Sequence, residues 1–264
     1  MTDIEEHDLG LSHDLPVLLS RRRALGLLAG GLGATAMAAC GSSDDGAPAT
    51  TSSEGSSTAE VPEETAGPYP GDGSNGPNVL AESGVVRSDI TSSFGGPSGT
   101  AAGVPTTIDM KLLDVAAGGK ALAGAAVYIW HCDRDGQYSM YAEAIKDENF
   151  LRGVQETDAN GQVTFTTIFP AAYSGRWPHI HFEVYESLDA ATSAGTKLAT
   201  SQIAIPQDAC DLVYATDAYA QSLQNLAQTS LDGDMVFSDG YASQLATSTG
   251  TVDAGITLKL NVGV

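Results

Sequence analysis

The chain of 264 residues contains 12 Lys and Arg against 33 Asp and Glu, a formal net charge of −21, and 42% of its residues are hydrophobic. The hydrophobic share is ordinary for a globular protein, and the length allows one large or two small domains. Because nucleic acids and anionic membrane surfaces are also negatively charged, the sequence argues against both as partners.

The first 39 residues have the order of an export signal. The segment SRRRALGLLAGGLGATAMAAC (20–40) places three arginines before an apolar run of 16 residues that ends in small side chains. This order is typical of a signal peptide, and the arginine pair fits the twin-arginine type. A membrane-spanning helix needs roughly 20 apolar residues, so the run is short for one. A retained signal anchor and simple secretion are the alternatives.

The end of this segment, MAAC (37–40), resembles the lipoprotein box of bacteria. The resemblance implies that Cys40 is the lipidated first residue of an exported, cell-envelope protein, with this lipid as its membrane attachment. Residues 40–62 are rich in Ser, Thr, Gly and acidic side chains, and they predict a disordered tether because they offer little apolar surface to bury. A single domain is predicted over 63–264.

Six runs of alternating or β-branched residues in this domain predict strands. They are 106–115, 125–133, 161–169, 179–187, 198–206 and 255–264. One helix is predicted over 216–228, where Leu223 and Leu226 lie three residues apart. Many short strands with little helix predict an all-β fold, either an antiparallel β-sandwich or a partly closed barrel, with one short helix and long loops.

The cysteines fit an exported protein. With Cys40 assigned to lipid, Cys132 and Cys210 remain and form a candidate disulfide, because export leads to an oxidising compartment. The alternative is that Cys132 is a soft metal ligand beside His131, although it has no nearby CxxC partner. His131 itself is expected to make a structural hydrogen bond.

The segment GRWPHIH (175–181) suggests a metal site. Side chains at i and i+2 of a strand point to the same face, so His179 and His181 can direct two imidazoles at one point. Imidazole binds Zn, Cu, Fe and Ni, and such a site needs further donors. Glu183 continues this face but lies about 6–7 Å farther along the strand, which is awkward for one ion. A pair of hydrogen-bonded strand histidines without a metal is the simpler alternative.

Further segments extend this pattern in chain order, namely WHCDRDGQYSMY (130–141), NFLRGVQETDANGQVTFTTIFPAAY (149–173) and FPAAYSGRWPHIH (169–181). Together they resemble the intradiol ring-cleavage dioxygenases, the catechol and protocatechuate family. The resemblance extends from ETAGPYPGDG (64–73) to the C-terminus and is densest over 127–206. It implies a β-sandwich that holds a non-haem Fe(III) with two tyrosinates and two histidines.

The resemblance implies that the iron ligands are Tyr138, Tyr173, His179 and His181, and that Tyr173 leaves the metal when substrate binds. Tyr141 is the alternative to Tyr138. Phenolate oxygens suit the hard ferric ion. A phenol with an ordinary pKa near 10 stays deprotonated at neutral pH only beside a strongly charged ion.

The resemblance also implies roles around the substrate. Arg176 would stabilise developing negative charge, Tyr173 would accept a substrate proton, and Gln202 would lie near the reacting ring. Tyr69 is a weaker candidate for the substrate pocket, and Trp177 for the pocket wall or the core.

The implied reaction is cleavage of a catechol-type ring by O2 between its two hydroxylated carbons, which gives a muconate-type diacid. No basic cluster that would receive a carboxylated ring is evident, and this favours an uncharged catechol or hydroxyquinol. The long helical N-terminal dimerisation segment of catechol 1,2-dioxygenases is lacking, so a homo-oligomer is left open. The rival hypotheses are a metal-free β-sandwich binding module and a zinc-dependent hydrolase that uses Glu183 as a third ligand.

Overall fold

Two β-sheets form the fold in the computed structural model, which describes residues 59–193 and 195–264. The strands are β1 (Pro105–Asp114), β2 (Lys120–Ala121), β3 (Ala126–Trp130), β4 (Arg152–Glu156), β5 (Gln162–Ile168), β6 (His179–Tyr185), β7 (Lys197–Ala204), β8 (Thr247–Thr251) and β9 (Gly255–Gly263). One sheet has the order β2-β1-β9-β8, with β5 also paired to β1, and the other has the order β4-β3-β6-β7. The predicted all-β fold is confirmed.

The hydrophobic core lies between the two sheets. Residues alternate in β1, where Ile108 is buried between more exposed neighbours, and Leu258 of β9 faces the same way. They belong to one cluster with Ile129 of β3 and Phe182 of β6 from the opposite sheet. Burial of such side chains contributes about 1.5–3 kcal/mol each, which makes this layer the main source of stability.

Strand β6 is buried on both faces, and all seven of its residues are inaccessible to solvent. Its even-numbered side chains, such as Phe182, enter the core between the sheets. The odd-numbered side chains therefore point to the opposite face of the sheet. There a second apolar cluster, which includes Val79, Leu80 and Val85 from a loop, covers the sheet. The predicted histidine pair lies on this covered face.

One strand pairing differs from the predicted antiparallel sandwich. Strand β9 runs parallel to β1, with Thr106 opposite Ile256, whereas the other strand pairs are antiparallel. Strand β9 follows β8 through a tight hairpin. Its Gly250 has φ +114°, and a Cβ there would lie 2.1 Å from the Gly255 carbonyl oxygen. Side-chain alternation does not encode strand direction, so the sequence pattern could not reveal the parallel pair.

The helices are α1 (Leu188–Thr192), α2 (Gln207–Tyr214) and α3 (Ala220–Leu226), with 3-10 turns at Asp217–Tyr219 and Leu231–Gly233. Helix α3 lies within the predicted 216–228 segment, but the expectation of a single short helix is wrong. Helix α2 buries four residues on one side, in the i, i+1, i+4, i+5 pattern of an amphipathic helix: Ala209, Cys210, Val213 and Tyr214.

The strands that the sequence did not predict are short or polar. Strand β4 begins at Arg152, a charged residue inside the sheet, and β8 has the sequence TSTGT at a solvent-exposed edge. The domain also includes residues before the predicted start at 63, because Val61 is buried and its N–H donates to the Gly263 carbonyl at 2.9 Å. The predicted signal peptide, Cys40 and the tether up to residue 58 lie outside the described residues. Within the part of the chain that is described, no helix is long and apolar enough to cross a membrane.

The predicted disulfide between Cys132 and Cys210 is wrong, because the structure has both residues as free, buried thiols. The two side chains belong to different apolar clusters, on opposite faces of the second sheet. The Cys132 thiol instead approaches the Ala171 carbonyl, with an Sγ–O distance of 3.7 Å. Burial raises the pKa of Cys132 to about 12, so this side chain is a protonated thiol.

Two leucines of α3 give a matched test of this packing. Leu226 is 6% exposed in the core, whereas Leu223 is 48% exposed on the same helix. We expect Leu226→Ala to lower the free energy of unfolding by about 2–5 kcal/mol because it leaves a cavity. Leu223→Ala, the control, should change it by less than about 0.5 kcal/mol. Urea denaturation measures both, and equal effects would contradict the packing described for this helix.

Candidate metal centre

Strand pairing aligns the residues of the centre in one cross-strand row. Trp130 of β3 lies opposite His181 of β6, and His181 lies opposite Gln202 of β7. On the other side of β3, Arg152 of β4 is opposite Trp130. Because paired residues in neighbouring strands share a face, all four side chains belong to the covered outer face of this sheet.

The two histidines converge as their spacing predicts. The Nε2 atoms of His179 and His181 are 3.2 Å apart. Two nitrogen ligands that are about 2.1 Å from one ion and at right angles to each other lie about 3.0 Å apart. The observed separation therefore suits two neighbouring positions on one metal ion.

A backbone carbonyl fixes the orientation of His179. Its Nδ1 lies 2.5 Å from the Trp177 carbonyl oxygen. A carbonyl can only accept, so Nδ1 carries the proton and Nε2 of the neutral ring carries the lone pair. Burial, and then the charge of Arg176, hold the pKa of His179 well below its ordinary value. A metal-binding histidine usually donates its second ring nitrogen in this manner.

His181 is held by stacking. Its ring lies parallel to Trp130, with centroids 4.9 Å apart and an interplanar angle of 6°. Gly67 covers the other edge, where a Cβ would lie 3.3 Å from the His181 Cε1 atom, and its φ of +70° also favours glycine. Burial, and then His179, keep the pKa of His181 well below its ordinary value, so this imidazole is also neutral.

Tyr173 reaches the histidines from the loop after β5. Its hydroxyl lies 3.0 Å from the Nε2 atom of His179. Helix α3 fixes the preceding residue, because Ala172 N–H donates to Ser222 Oγ at 3.1 Å and Asn225 Nδ2 donates to the Ala172 carbonyl at 2.8 Å. Burial raises the pKa of Tyr173 to about 12, although Arg176 opposes the rise.

Tyr138 follows β3 and is 4% exposed. Its ring centroid lies 6.2 Å from those of Tyr173 and His181. Its buried hydroxyl has no hydrogen-bond partner among the described residues. Burial, followed by the neighbouring Tyr173, raises the pKa of Tyr138 well above its ordinary value. A buried hydroxyl that lacks a partner costs free energy, and this points to a partner other than a side chain.

The alternative ligand Tyr141 is already satisfied. Its hydroxyl accepts from the Gly71 N–H at 2.9 Å and donates to the Asn75 carbonyl at 3.1 Å. This difference favours Tyr138 as the second phenol of the centre. His131 is also engaged, since Nδ1 donates to the Cys132 carbonyl at 2.8 Å and Nε2 lies 2.7 Å from Thr167 Oγ1. Its structural role is thus confirmed.

The donor set fits a hard, strongly charged cation. It consists of two neutral imidazoles and two phenols, and the raised phenol pKa values show that this environment does not deprotonate them unaided. A trivalent ion there would do so. Glu183, the alternative third ligand, instead accepts from Tyr185 at 2.7 Å and from Lys197 at 2.6 Å. Among the described residues, no group of three or more His, Cys, Asp or Glu side chains could hold a metal, which argues against the zinc arrangement.

Arg176 lies beside the donors and is buried. Its Nη2 donates to Gln202 Oε1 at 2.8 Å, and Gln202 Nε2 donates to the Thr65 carbonyl at 3.0 Å. Its Nε forms an ion pair with Asp234 Oδ2 at 2.9 Å. Gln202 thus links Arg176 to the segment before Gly67.

Tyr69 and Trp177, the other two candidates for the substrate pocket, lie in different parts of the structure. The Tyr69 ring lies 5.0 Å from the Tyr138 ring and 5.1 Å from the Tyr141 ring, so it adjoins the centre. Trp177 belongs to the core between the sheets, and its Nε1 donates to the Ile205 carbonyl at 2.8 Å. Of its two expected places, pocket wall or core, the structure therefore gives the core.

The sequence patterns did not single out Arg152, which is 1% exposed. Its Nε and Nη2 donate to Ser139 Oγ and to the Ser139 carbonyl, at 3.1 and 2.9 Å. Its Nη1 donates at 2.9 Å to the carbonyls of Tyr69 and Pro70 and at 3.3 Å to Tyr128 Oη. This guanidinium thereby joins the Tyr69 loop to the residue after Tyr138. The sequence signal that could have identified Arg152 is a single charged residue within a strand.

Asp234 is the second residue that sequence reasoning missed. It is 1% exposed and follows the 3-10 turn at Leu231–Gly233. Nothing in the local sequence SLDGDMVF distinguishes it from an ordinary loop aspartate. Only the fold places it against Arg176, which lies 58 residues earlier in the chain.

The two buried tyrosines Tyr138 and Tyr128 give a matched test of the unpartnered hydroxyl. Tyr128 Oη donates to the Pro70 carbonyl at 2.6 Å, whereas Tyr138 Oη has no such bond to any described residue. For the metal-free protein, we expect Tyr128→Phe to lower the free energy of unfolding by about 1–2 kcal/mol, and Tyr138→Phe to leave it unchanged or raise it. Chemical denaturation of both variants measures these changes in the free energy of unfolding. A loss above about 1 kcal/mol in Tyr138→Phe would show that its hydroxyl serves the fold.

Comparison with known proteins agrees with this geometry. The family model described as Dioxygenase matches residues 75–242, which is more than half of the chain. Among solved structures, the intradiol ring-cleavage dioxygenase from Tetranychus urticae is similar over 77% of this chain and 93% of its own. The identity is 25% and the TM-score is 0.61.

Curated relatives match over shorter stretches. Chlorocatechol 1,2-dioxygenase from Rhodococcus opacus is 34% identical over 55 residues, 21% of this chain and 21% of its own length. Catechol 1,2-dioxygenase 2 from Acinetobacter lwoffii is 32% identical over 108 residues, 34% of this chain and 36% of its own length. The matched region thus spans well under half of either relative. The extent of the family match and the shared two-sheet fold establish that the chain belongs to the intradiol ring-cleavage dioxygenase family.

Proposed function

We propose that the protein is a non-haem Fe(III) dioxygenase that cleaves a catechol-type ring between its two hydroxylated carbons. Both atoms of one O2 enter the product, a muconate-type diacid. The observation that carries the proposal is the convergence of two neutral imidazoles and two buried phenols in a chain of this family. Family membership, the fold and the donor geometry all support the same reaction class.

The ligands in the proposed centre are Tyr138, Tyr173, His179 and His181. Fe(III) bound there would supply the positive charge that deprotonates the two phenols and a catechol that binds beside them. The protein's contribution is to keep both imidazoles neutral and correctly oriented, through the Trp177 carbonyl and the Trp130 ring. It also excludes water, since three of the four side chains are less than 5% exposed: Tyr138, His179 and His181.

Tyr173 is the proposed proton acceptor for the substrate. Its loop is more exposed than the strands that carry the histidines, with Ser174 and Gly175 at the surface, so its ring is the most accessible of the four donors. The nearby Arg176 favours the ionised phenol. A phenolate at this position could take a proton from a catechol hydroxyl at Oη.

Arg176 is proposed to stabilise negative charge that develops on the ring carbons and oxygens. A guanidinium stays charged throughout, and its effect is large because the site is buried. Gln202 supports this role by accepting from Nη2 and by anchoring to the Thr65 carbonyl. The proposed part for Gln202 is therefore orientation of Arg176.

The substrate is proposed to be an uncharged catechol or hydroxyquinol. Two guanidinium groups lie near the donors, and neither offers an unoccupied Nε–Nη2 edge to a carboxylate on the ring. Asp234 takes this edge of Arg176, and all three nitrogens of Arg152 already donate to protein oxygens. The similarity to a catechol and a chlorocatechol 1,2-dioxygenase supports this substrate class.

The test is a visible absorption spectrum of the protein purified without chelator, together with an iron assay. We expect one Fe(III) per chain and a tyrosinate-to-iron charge-transfer band that shifts when catechol is added without O2. Tyr138→Phe should lose this band or shift it strongly, whereas the control Tyr141→Phe should keep it, because the Tyr141 hydroxyl is engaged with Gly71 and Asn75. A protein that stays colourless after Fe(III) reconstitution would refute the proposal.

We also propose that the protein is exported and attached to the membrane through a lipid on Cys40. The twin-arginine pattern and the MAAC segment support this location. We expect the wild-type protein to partition into the detergent phase and its first peptide to carry a lipid mass. Cys40→Ser should remain in the aqueous phase and keep its signal peptide. An unmodified Cys40 in the mature wild-type chain would contradict this proposal.

A further inference from the structure

Asp234 is a buried carboxylate that joins its own loop to the Arg176 segment of the site. Its Oδ2 accepts from Arg176 Nε at 2.9 Å and from Trp177 N–H at 2.6 Å. Its Oδ1 accepts from Arg176 Nη2 at 3.3 Å, Val236 N–H at 2.8 Å and Phe237 N–H at 3.3 Å. Both oxygens thus bind the Arg176 side chain, and one of them also binds the next backbone amide.

This arrangement fixes the plane of the Arg176 guanidinium. Asp234 takes the edge formed by Nε and Nη2, and Gln202 Oε1 also accepts from Nη2 at 2.8 Å. Acceptors on two different elements therefore define the rotation of the planar group. The Nε–Nη2 edge of the guanidinium is thus held entirely by protein acceptors.

The ion pair between Asp234 and Arg176 is buried, and burying two charges costs free energy that an exposed loop contact would not. The side chain of Asp234 is 0% exposed and that of Arg176 is 7% exposed. Desolvating two charges is unfavourable, and replacing such a pair by apolar residues is often neutral or stabilising. The position of this pair beside the proposed reacting group is thus better explained by orientation than by stability.

We propose that Asp234 is a positioning residue, which holds the guanidinium of Arg176 in the orientation that stabilises negative charge on the substrate. The proposal rests on the function proposed above for Arg176. It predicts that Asp234 acts on the reaction only through Arg176, whereas a residue that merely braces its loop would act independently.

The first test does not depend on iron or on activity. In the metal-free protein, the Arg176 Nε–H group should give a resolved, slowly exchanging NMR signal, which Arg176→Lys assigns by removing it. We expect Asp234→Asn to shift this signal and to accelerate its exchange at least tenfold. The control is Asp208→Asn, because Asp208 is exposed and bonds Ser248. An unchanged Arg176 signal in Asp234→Asn would overturn the proposal.

The second test is a double-mutant cycle on kcat for catechol. Removing one preorganised donor costs about 10²-fold in related cases, so we expect losses of this order for Asp234→Asn and for Arg176→Lys. The combined variant should lose no more than Arg176→Lys alone, since both changes remove one function. KM should change less than about threefold, and the ferric absorption band should persist. Losses that multiply, or a band lost in Asp234→Asn, would show an independent structural role.

The two tests separate the proposals. If the wild-type chain binds no iron, the proposed function fails, while the NMR signal still decides whether Asp234 orients Arg176. If Asp234→Asn does not fold, Asp234→Glu replaces it in both tests, because the longer side chain keeps the charge but displaces the carboxylate. Normal Arg176 exchange in a folded Asp234→Glu, together with wild-type kcat, would count against positioning.

Discussion

The burial of β6 on both faces is the constraint on which the site depends. One face carries Ile180 and Phe182 into the core, so the strand cannot rotate or slip without exposing them. The other face must then present His179 and His181 at one fixed place. Pairing with β3 and β7 sets His181 between Trp130 and Gln202. The apolar core thereby determines the position of the polar donors.

Some buried polar groups around the centre have all their hydrogen bonds within the described part of the protein and others do not. This difference distinguishes residues that serve the fold from candidates for ligand binding. Tyr128, Tyr141 and His131 each have complete hydrogen bonds to protein groups. Tyr138 Oη, in contrast, is buried without a partner among the described residues. Since such a group costs stability, its position beside the two imidazoles is best explained by a bound ion.

Two buried arginines, Arg152 and Arg176, organise the centre in different ways. Arg152 is surrounded by neutral oxygens and joins the Tyr69 loop to the segment after Tyr138. Arg176 is paired with a carboxylate and with the Gln202 amide, beside the Tyr173 and His179 side chains whose pKa values it affects. The first guanidinium suits a structural bridge. The second acts electrostatically on the donors, which agrees with its proposed role.

The sequence by itself determined those features that depend only on the spacing of neighbouring residues. The i, i+2 spacing places His179 and His181 on one face, and alternation revealed the strands of the core. Only the tertiary structure showed that the Tyr141 hydroxyl is already engaged, separated Cys132 from Cys210, made β9 parallel to β1 and brought Asp234 to Arg176. The physical reason is that side-chain periodicity follows from backbone geometry within one strand. Contacts between distant residues depend instead on register, strand direction and loop packing, which arise only when the whole domain folds.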